Sequence, residues 1–221
     1  MNVFLWNARA RNGHVEATLN HPFPAQVLLV DHEDSFVHTL ANYLRQTGAD
    51  VQVSRFGPPA LSAIDNEAWD LVVLSPGPGQ PTDFDLSATI DACAAKETPL
   101  FGVCLGLQGI VEHFGGSLST LPVPVHGKPA SVLSSPDSKW RQFDGLPPQF
   151  DVARYHSLYA DDVPDDLAVT ATTDQGDRVV VMAVEHTKLP ITAVQFHPES
   201  ILTNPRHGLR MLANCLRHLA Y

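Results

Sequence analysis

The chain has 221 residues, of which 44% are hydrophobic and 17% charged, with a formal net charge of -10. This composition suits one sizeable folded domain, alone or with an extension, and excludes a disordered chain. The acidic balance, with no basic block or stripe, argues against a grip on nucleic-acid phosphates. Cys93, Cys104 and Cys215 form no C-x-x-C pair. That speaks against a disulfide framework and a zinc site, and for a reducing, cytoplasmic setting. No apolar run reaches the ~18–20 residues of a membrane span, and the start Met1-Asn-Val-Phe-Leu-Trp-Asn-Ala-Arg9 is a poor signal peptide.

Residues 1–24 read as an N-terminal extension or linker, ending in the rigid His21-Pro-Phe-Pro24, with a possible strand at Val3–Trp6. The domain proper is expected over 25–221. Gln26–Val30 is a continuous apolar run of the kind buried in a parallel sheet. A helix is expected next, capped by Asp34 or Ser35, running to Gln46 and stopped by Gly48. Val51–Ser54 alternates as a strand, Leu61–Glu67 suggests a short helix, and Leu71–Leu74 is another buried strand. Asp85–Lys96 is helical, Leu100–Val103 a strand, and Leu107–Phe114 an amphipathic helical segment. Beyond Gly116 short β-like runs take over: Ala130–Leu133, Val152–Arg154, Leu167–Thr172, Val179–Val184 and Ile191–Gln195. A helix over Pro205–Leu219, with Leu209, Leu212, Ala213 and Leu216 on one face, closes the domain. The alternation predicts an α/β fold: a mainly parallel, doubly wound sheet flanked by helices, with an added antiparallel portion. Ligands bind such sheets beyond the carboxyl ends of the strands.

Three polar or glycine-rich segments fall at those ends: Asp31–Ser35, Ser75–Pro81 and the turn at Cys104. Gly102 and Gly106 flank Cys104 two residues away on each side, between an apolar strand and a helix start. Glycines allow so tight an elbow, and the helix N-terminus favours a thiolate and an oxyanion. Cys104 is therefore either a nucleophile or a buried core cysteine. A nucleophile needs a base. His197, in Gln195-Phe-His-Pro-Glu-Ser200, emerges from an apolar strand, with Glu199 two residues on to orient the ring. Alone, His197 reads more readily as a surface or turn histidine, and the H-P-E spacing after a strand weakens that reading. Ser75-Pro-Gly-Pro-Gly79 is an ordinary turn or an oxyanion loop shared with the Leu105 N–H; without G-K-[ST] it is no phosphate loop.

Together these segments resemble the class I (triad) glutamine amidotransferases, and within them the glutaminase component of anthranilate synthase. The resemblance is carried by Leu74–Gly79, Gly102–Gln108, His126–Lys128, Arg154–Leu158 and Gln195–Thr203, with Val30–Phe36 similar to the first strand and turn of that family. It covers about residue 25 to the end. It implies that Cys104 attacks the side-chain amide of glutamine, that His197 is base then acid, and that Glu199 orients it. It further implies an oxyanion hole from the N–H groups of Gly77 and Leu105, and a glutamine site from Gly77, Pro78, Gly79, Leu105, Gln108, Ser157 and Leu158. His126–Lys128 matches a segment near the synthase interface.

The implied function is glutamine hydrolysis supplying ammonia to a chorismate-binding synthase, as a separate chain or a fused half, making anthranilate for tryptophan. No cofactor or metal is expected. Leu107 departs from the histidine common in stand-alone glutaminase components. With Asp31-His-Glu-Asp34 and Gly109–Phe114, it resembles the glutaminase half of fused anthranilate synthases. The alternatives are the glutaminase of aminodeoxychorismate synthase, a related phenazine-type enzyme, a silent binding component, or a cysteine peptidase or γ-glutamyl hydrolase of related fold. The complete Cys104, His197, Glu199 set opposes a silent component, and the glutamine-site segments oppose a peptidase.

Overall fold

A computed structural model describes residues 24–220; the expected strand at Val3–Trp6 lies outside them. The parallel half is built from β1 (Gln26–Asp31), β2 (Asp50–Arg55), β3 (Leu71–Leu74), β4 (Leu100–Val103) and β9 (Ile191–Val194). β1 pairs in parallel with both β2 and β3, β3 with β4, and β4 with β9. β3, β4 and β9 are buried at every residue, which is why each reads as an unbroken apolar run rather than an alternating one.

Side-chain alternation divides these strands between two cores. Val27, Leu29, Leu71, Val73, Phe101 and Val194 face α1 (Val37–Gln46) and α5 (Pro205–Leu219). Leu28, Val30, Val72, Leu74, Leu100 and Ala193 face α2 (Pro58–Asn66), α3 (Leu86–Ala95) and α4 (Leu105–His113). Burial of each Val, Leu or Phe among them contributes roughly 1.5–3 kcal/mol.

The antiparallel half comprises β5 (Ser117–Ser134), β6 (Gln149–Asp162), β7 (Leu167–Asp174) and β8 (Val179–His186). They extend the same sheet, whose full order is β2-β1-β3-β4-β9-β8-β7-β5-β6. β8 runs antiparallel to β9, and β5 and β6 form a long antiparallel pair. The runs Ala130–Leu133 and Val152–Arg154 are only short parts of β5 and β6. Much of β5 is exposed, and its register shifts around Leu121–Pro124 and Gly127. Interrupted alternation and prolines at 122, 124 and 129 hid an 18-residue strand.

Four local expectations need correction. Helix α1 starts at Val37 with Phe36 at its N-cap and no side-chain cap; Asp34 Oδ1 instead accepts from the Phe36 N–H at 2.7 Å within the preceding turn. Helix α2 starts at Pro58, earlier than Leu61, because proline fits the first turn, where its missing N–H costs nothing. Helix α4 starts at Leu105 and is buried from Leu105 through Val111, so it is not amphipathic over that span. In α5 the buried stripe is Gly208, Met211, Leu212, Cys215, Leu216 and Leu219, with Leu209 and Ala213 at its margin.

Candidate active site

Cys104 follows β4 directly and is the N-cap of α4, with φ 54° and ψ -97°. Few non-glycine residues adopt such a backbone, and it costs about 1–3 kcal/mol. The elbow is held from both sides. The Cys104 N–H donates to the Val194 carbonyl at 2.8 Å, tying it to β9. A Cβ on Gly102 would sit 2.7 Å from the Gly106 carbonyl carbon, and one on Gly106 would sit 2.8 Å from the Leu74 carbonyl oxygen. The two glycines let α4 press onto β4 and β3, leaving the thiol at the mouth of the helix. Cys104 is 6% exposed. The N–H groups of the first helical turn have no carbonyl four residues back, so they remain available to an anion beside the sulfur.

His197 lies just past β9. Its backbone is clamped: the N–H donates to the Ala153 carbonyl at 3.0 Å, and its carbonyl accepts from Thr203 Oγ1 at 2.7 Å. Thr203 Oγ1 also accepts from the Ala153 N–H at 2.9 Å, joining both sides of the clamp. The ring Nδ1–H donates to Glu199 Oε1 at 2.8 Å, with both side chains almost wholly buried. Burial alone would lower the His197 pKa. The charge of Glu199 and the nearby Cys104 side chain outweigh it and raise the pKa well above the usual 6.5. Nε2 has no partner in hydrogen-bond geometry. The ring therefore turns a free basic nitrogen to the thiol side while Glu199 fixes the opposite nitrogen. The rings of Phe36 and Tyr155 lie 5.1 and 5.0 Å from it, restricting its rotation.

The remaining predicted residues divide in two. Gly77 packs on the Leu105 side chain, so the Ser75–Pro81 loop reaches the Cys104 elbow. Pro78 and Gly79 are exposed, and Gly79 has φ 70°, with the Asp83 carboxylate where a Cβ would point. Gln108 is buried and already engaged: Nε2 donates to the Leu158 carbonyl at 3.3 Å and to Gln195 Oε1 at 3.4 Å. The Leu158 carbonyl also accepts from His156 Nδ1 at 2.7 Å. His156 is held neutral, its pKa lowered to about 3 by burial and by Arg154, which donates Nε–H to Nε2 at 2.9 Å. Ser157 and Leu158 are half-buried. His126 and Lys128 lie exposed on β5, paired with Tyr155 and Arg154 of β6, next to Ala153, which bridges to His197.

One polar contact to the sulfur has no counterpart among the residues expected from sequence. Gln195 is fully buried and its Nε2 donates to Cys104 Sγ at 3.5 Å. The signal for it is a polar residue closing the apolar run of β9, which reads simply as the end of a strand.

Comparison with known proteins fits this arrangement. The family described as "Glutamine amidotransferase class-I" matches residues 28–219. The chain belongs to this family. Among its relatives is the anthranilate synthase of Azospirillum brasilense, 57% identical over 198 residues, covering 88% of this chain and 26% of that protein. Anthranilate synthase component 2 of Mycobacterium tuberculosis is 46% identical over 196 residues, covering 86% and 81%. The aminodeoxychorismate synthase of Streptomyces griseus is 42% identical over 193 residues, covering 86% and 25%. The solved structure of a putative GMP synthase protein from Thermoplasma acidophilum superposes with TM-score 0.78 at 25% identity, covering 90% of this chain and 96% of that one. The α/β fold of a class I amidotransferase is thus shared, and the family makes the chain an enzyme acting on glutamine. No helix among the described residues is long and apolar enough to cross a membrane.

Proposed function

We propose that this amidotransferase hydrolyses glutamine through Cys104 and delivers the ammonia to a chorismate-using synthase that makes anthranilate. The carrying observation is the meeting of Cys104, at the end of β4, with the Glu199-oriented ring of His197, at the end of the adjacent β9. The thiol passes its proton to His197 as sulfur bonds to the side-chain amide carbon. The carbon–nitrogen bond then breaks, and His197 gives that proton to the leaving ammonia. Water, deprotonated by the same ring, cleaves the thioester to glutamate. The N–H groups of Gly77 and Leu105 receive the oxyanion in both steps. Gly77, Pro78, Gly79, Leu105, Gln108, Ser157 and Leu158 form the glutamine site.

The synthase assignment rests on relatives named as anthranilate synthases at 57% and 46% identity. Because the chain spans 26% of the first of these, the synthase is either a fused half or a separate chain. The exposed Val123, Ile201 and Leu202 suit contact with it. Three buried, unpaired thiols suit a cytoplasmic setting. Residues 1–24 are read as an N-terminal extension or linker. The Streptomyces aminodeoxychorismate synthase supports the second reading, at 42% identity. In the assembled synthase, Cys104→Ser abolishes glutamine-dependent product while ammonium salts still support synthesis. Surviving glutamine-dependent turnover overturns the proposal, and the product formed, anthranilate or aminodeoxychorismate, decides the synthase.

A further inference from the structure

Beyond the triad, the ends of β1 and β3 hold a buried polar pair that no step above uses. Ser75 and His32 are both fully buried. Ser75 Oγ accepts from the His32 backbone N–H at 2.9 Å, contacts His32 Nδ1 at 3.1 Å, and donates to the Pro76 carbonyl at 2.7 Å. A hydroxyl has one proton and two lone pairs. With that proton on the Pro76 carbonyl, both lone pairs are left for the two His32 donors, so His32 carries its proton on Nδ1. Its Nε2 then has no partner and faces the aromatic surroundings of Phe56 and Phe84, whose centroids lie 6.2 and 5.6 Å from the imidazole. Burial holds His32 neutral, with its pKa lowered to about 4.

The Pro76 carbonyl belongs to the same peptide group as the Gly77 N–H. No described peptide bond is cis, so in this unit C=O and N–H point in opposite directions. Whatever fixes the Pro76 oxygen toward Ser75 also fixes the Gly77 N–H away from it. Gly77 leaves no room for a side chain: a Cβ there would meet Leu105, and would sit 3.0 Å from His32 Cβ and from the His32 carbonyl oxygen.

We propose that His32 and Ser75 are positioning residues that lock the Pro76–Gly77 peptide with its N–H turned to the oxyanion position beside Cys104. The inference rests on the assignment of Gly77 as an oxyanion donor. The lock is a relay of two hydrogen bonds, Nδ1–H to Oγ and Oγ–H to the Pro76 oxygen. Losing either member frees the peptide to rotate, and a rotated peptide presents a carbonyl where the oxyanion needs a donor.

The test compares Ser75→Ala, His32→Leu and His32→Asn in the full chain assembled with its synthase, with Cys104→Ser alongside. Two rates are read: glutamine hydrolysis, which forms an oxyanion, and alkylation of Cys104 by iodoacetamide, which forms none. Losing one oxyanion donor outright costs about 10²–10³ in kcat. Ser75→Ala and His32→Leu therefore lower kcat by roughly 10-fold to 100-fold, with KM and the alkylation rate near wild type. Asparagine places an amide N–H near the Nδ1 position, so His32→Asn recovers most of what His32→Leu loses. Unchanged kcat in Ser75→Ala, or a parallel fall in hydrolysis and alkylation, overturns the lock while Cys104→Ser inactivity leaves the cysteine mechanism standing. Activity in Cys104→Ser overturns that mechanism and the lock with it.

Discussion

At the scale of single residues, chemistry is concentrated in side chains held by strain and burial. Cys104 keeps a costly positive φ, and Glu199 is completely buried beside His197. Glu199→Gln removes the charge that raises the ring's pKa. The His197 pKa therefore falls, and glutamine turnover drops by about 10²-fold or more; an NMR titration of the ring together with the pH profile checks both. The sign for stability follows. His197 is raised in the folded state, so the pair's contribution is complete below pH ~6.5 and is lost as pH rises through the folded value. Gln195→Leu removes the amide donor to Cys104 Sγ. A hydrogen bond contributes about 0.5–1.5 kcal/mol net, so iodoacetamide inactivation near neutral pH slows by up to roughly 10-fold. The candidate set Cys104, His197 and Glu199 could be picked out in sequence, because a cysteine between glycines and a histidine with a nearby acid leave local traces. Gln195 and the His32–Ser75 pair were not. Their roles arise from contacts across 91 and 43 positions, which no local pattern encodes.

At the scale of elements, strand ends decide the site. β1, β3, β4 and β9 are neighbours in one sheet, and their carboxyl ends deliver His32, Ser75, Cys104 and Gln195–His197. The all-apolar strands could be read to the residue, as at Leu71–Leu74 and Leu100–Val103, because burial on both faces leaves no alternation to misread. β5 could not, because exposure and bulges leave no period to follow. The packing of α4 on β3 gives a contrast that can be measured. Gly106→Ala forces a methyl onto the Leu74 backbone and destabilises the fold by about 1–3 kcal/mol, with glutaminase activity lost as the elbow moves. Gly48→Ala, at φ 93° with open space around it, costs about 1 kcal/mol through backbone strain alone and leaves kcat intact. Urea unfolding and glutamine hydrolysis of both variants check the pair of outcomes.

At the scale of the whole molecule, two buried neutral histidines tie the fold to pH. His32 and His156 have folded pKa values lowered to about 4 and about 3, both mainly by burial. Below pH ~6.5 the unfolded chain binds protons that the folded chain refuses, so stability falls on acidification until each folded pKa is passed. Each histidine contributes a slope of about 1.4 kcal/mol per pH unit within its window, and urea denaturation from pH 7 to 4 measures it. His32→Asn, which cannot titrate, removes one of the two slopes. The acidic surface seen in composition belongs to this same scale, and it bears on solubility rather than on the site.

The claim on which everything else depends is that Cys104 carries the γ-glutamyl group. Acid quenching during steady-state turnover of glutamine, followed by peptide mass spectrometry, tests it directly. A γ-glutamyl adduct on the peptide containing Cys104, absent from Cys104→Ser, is the predicted result. Brisk glutamine turnover in Cys104→Ser, or an adduct on Cys93 or Cys215 instead, would contradict it.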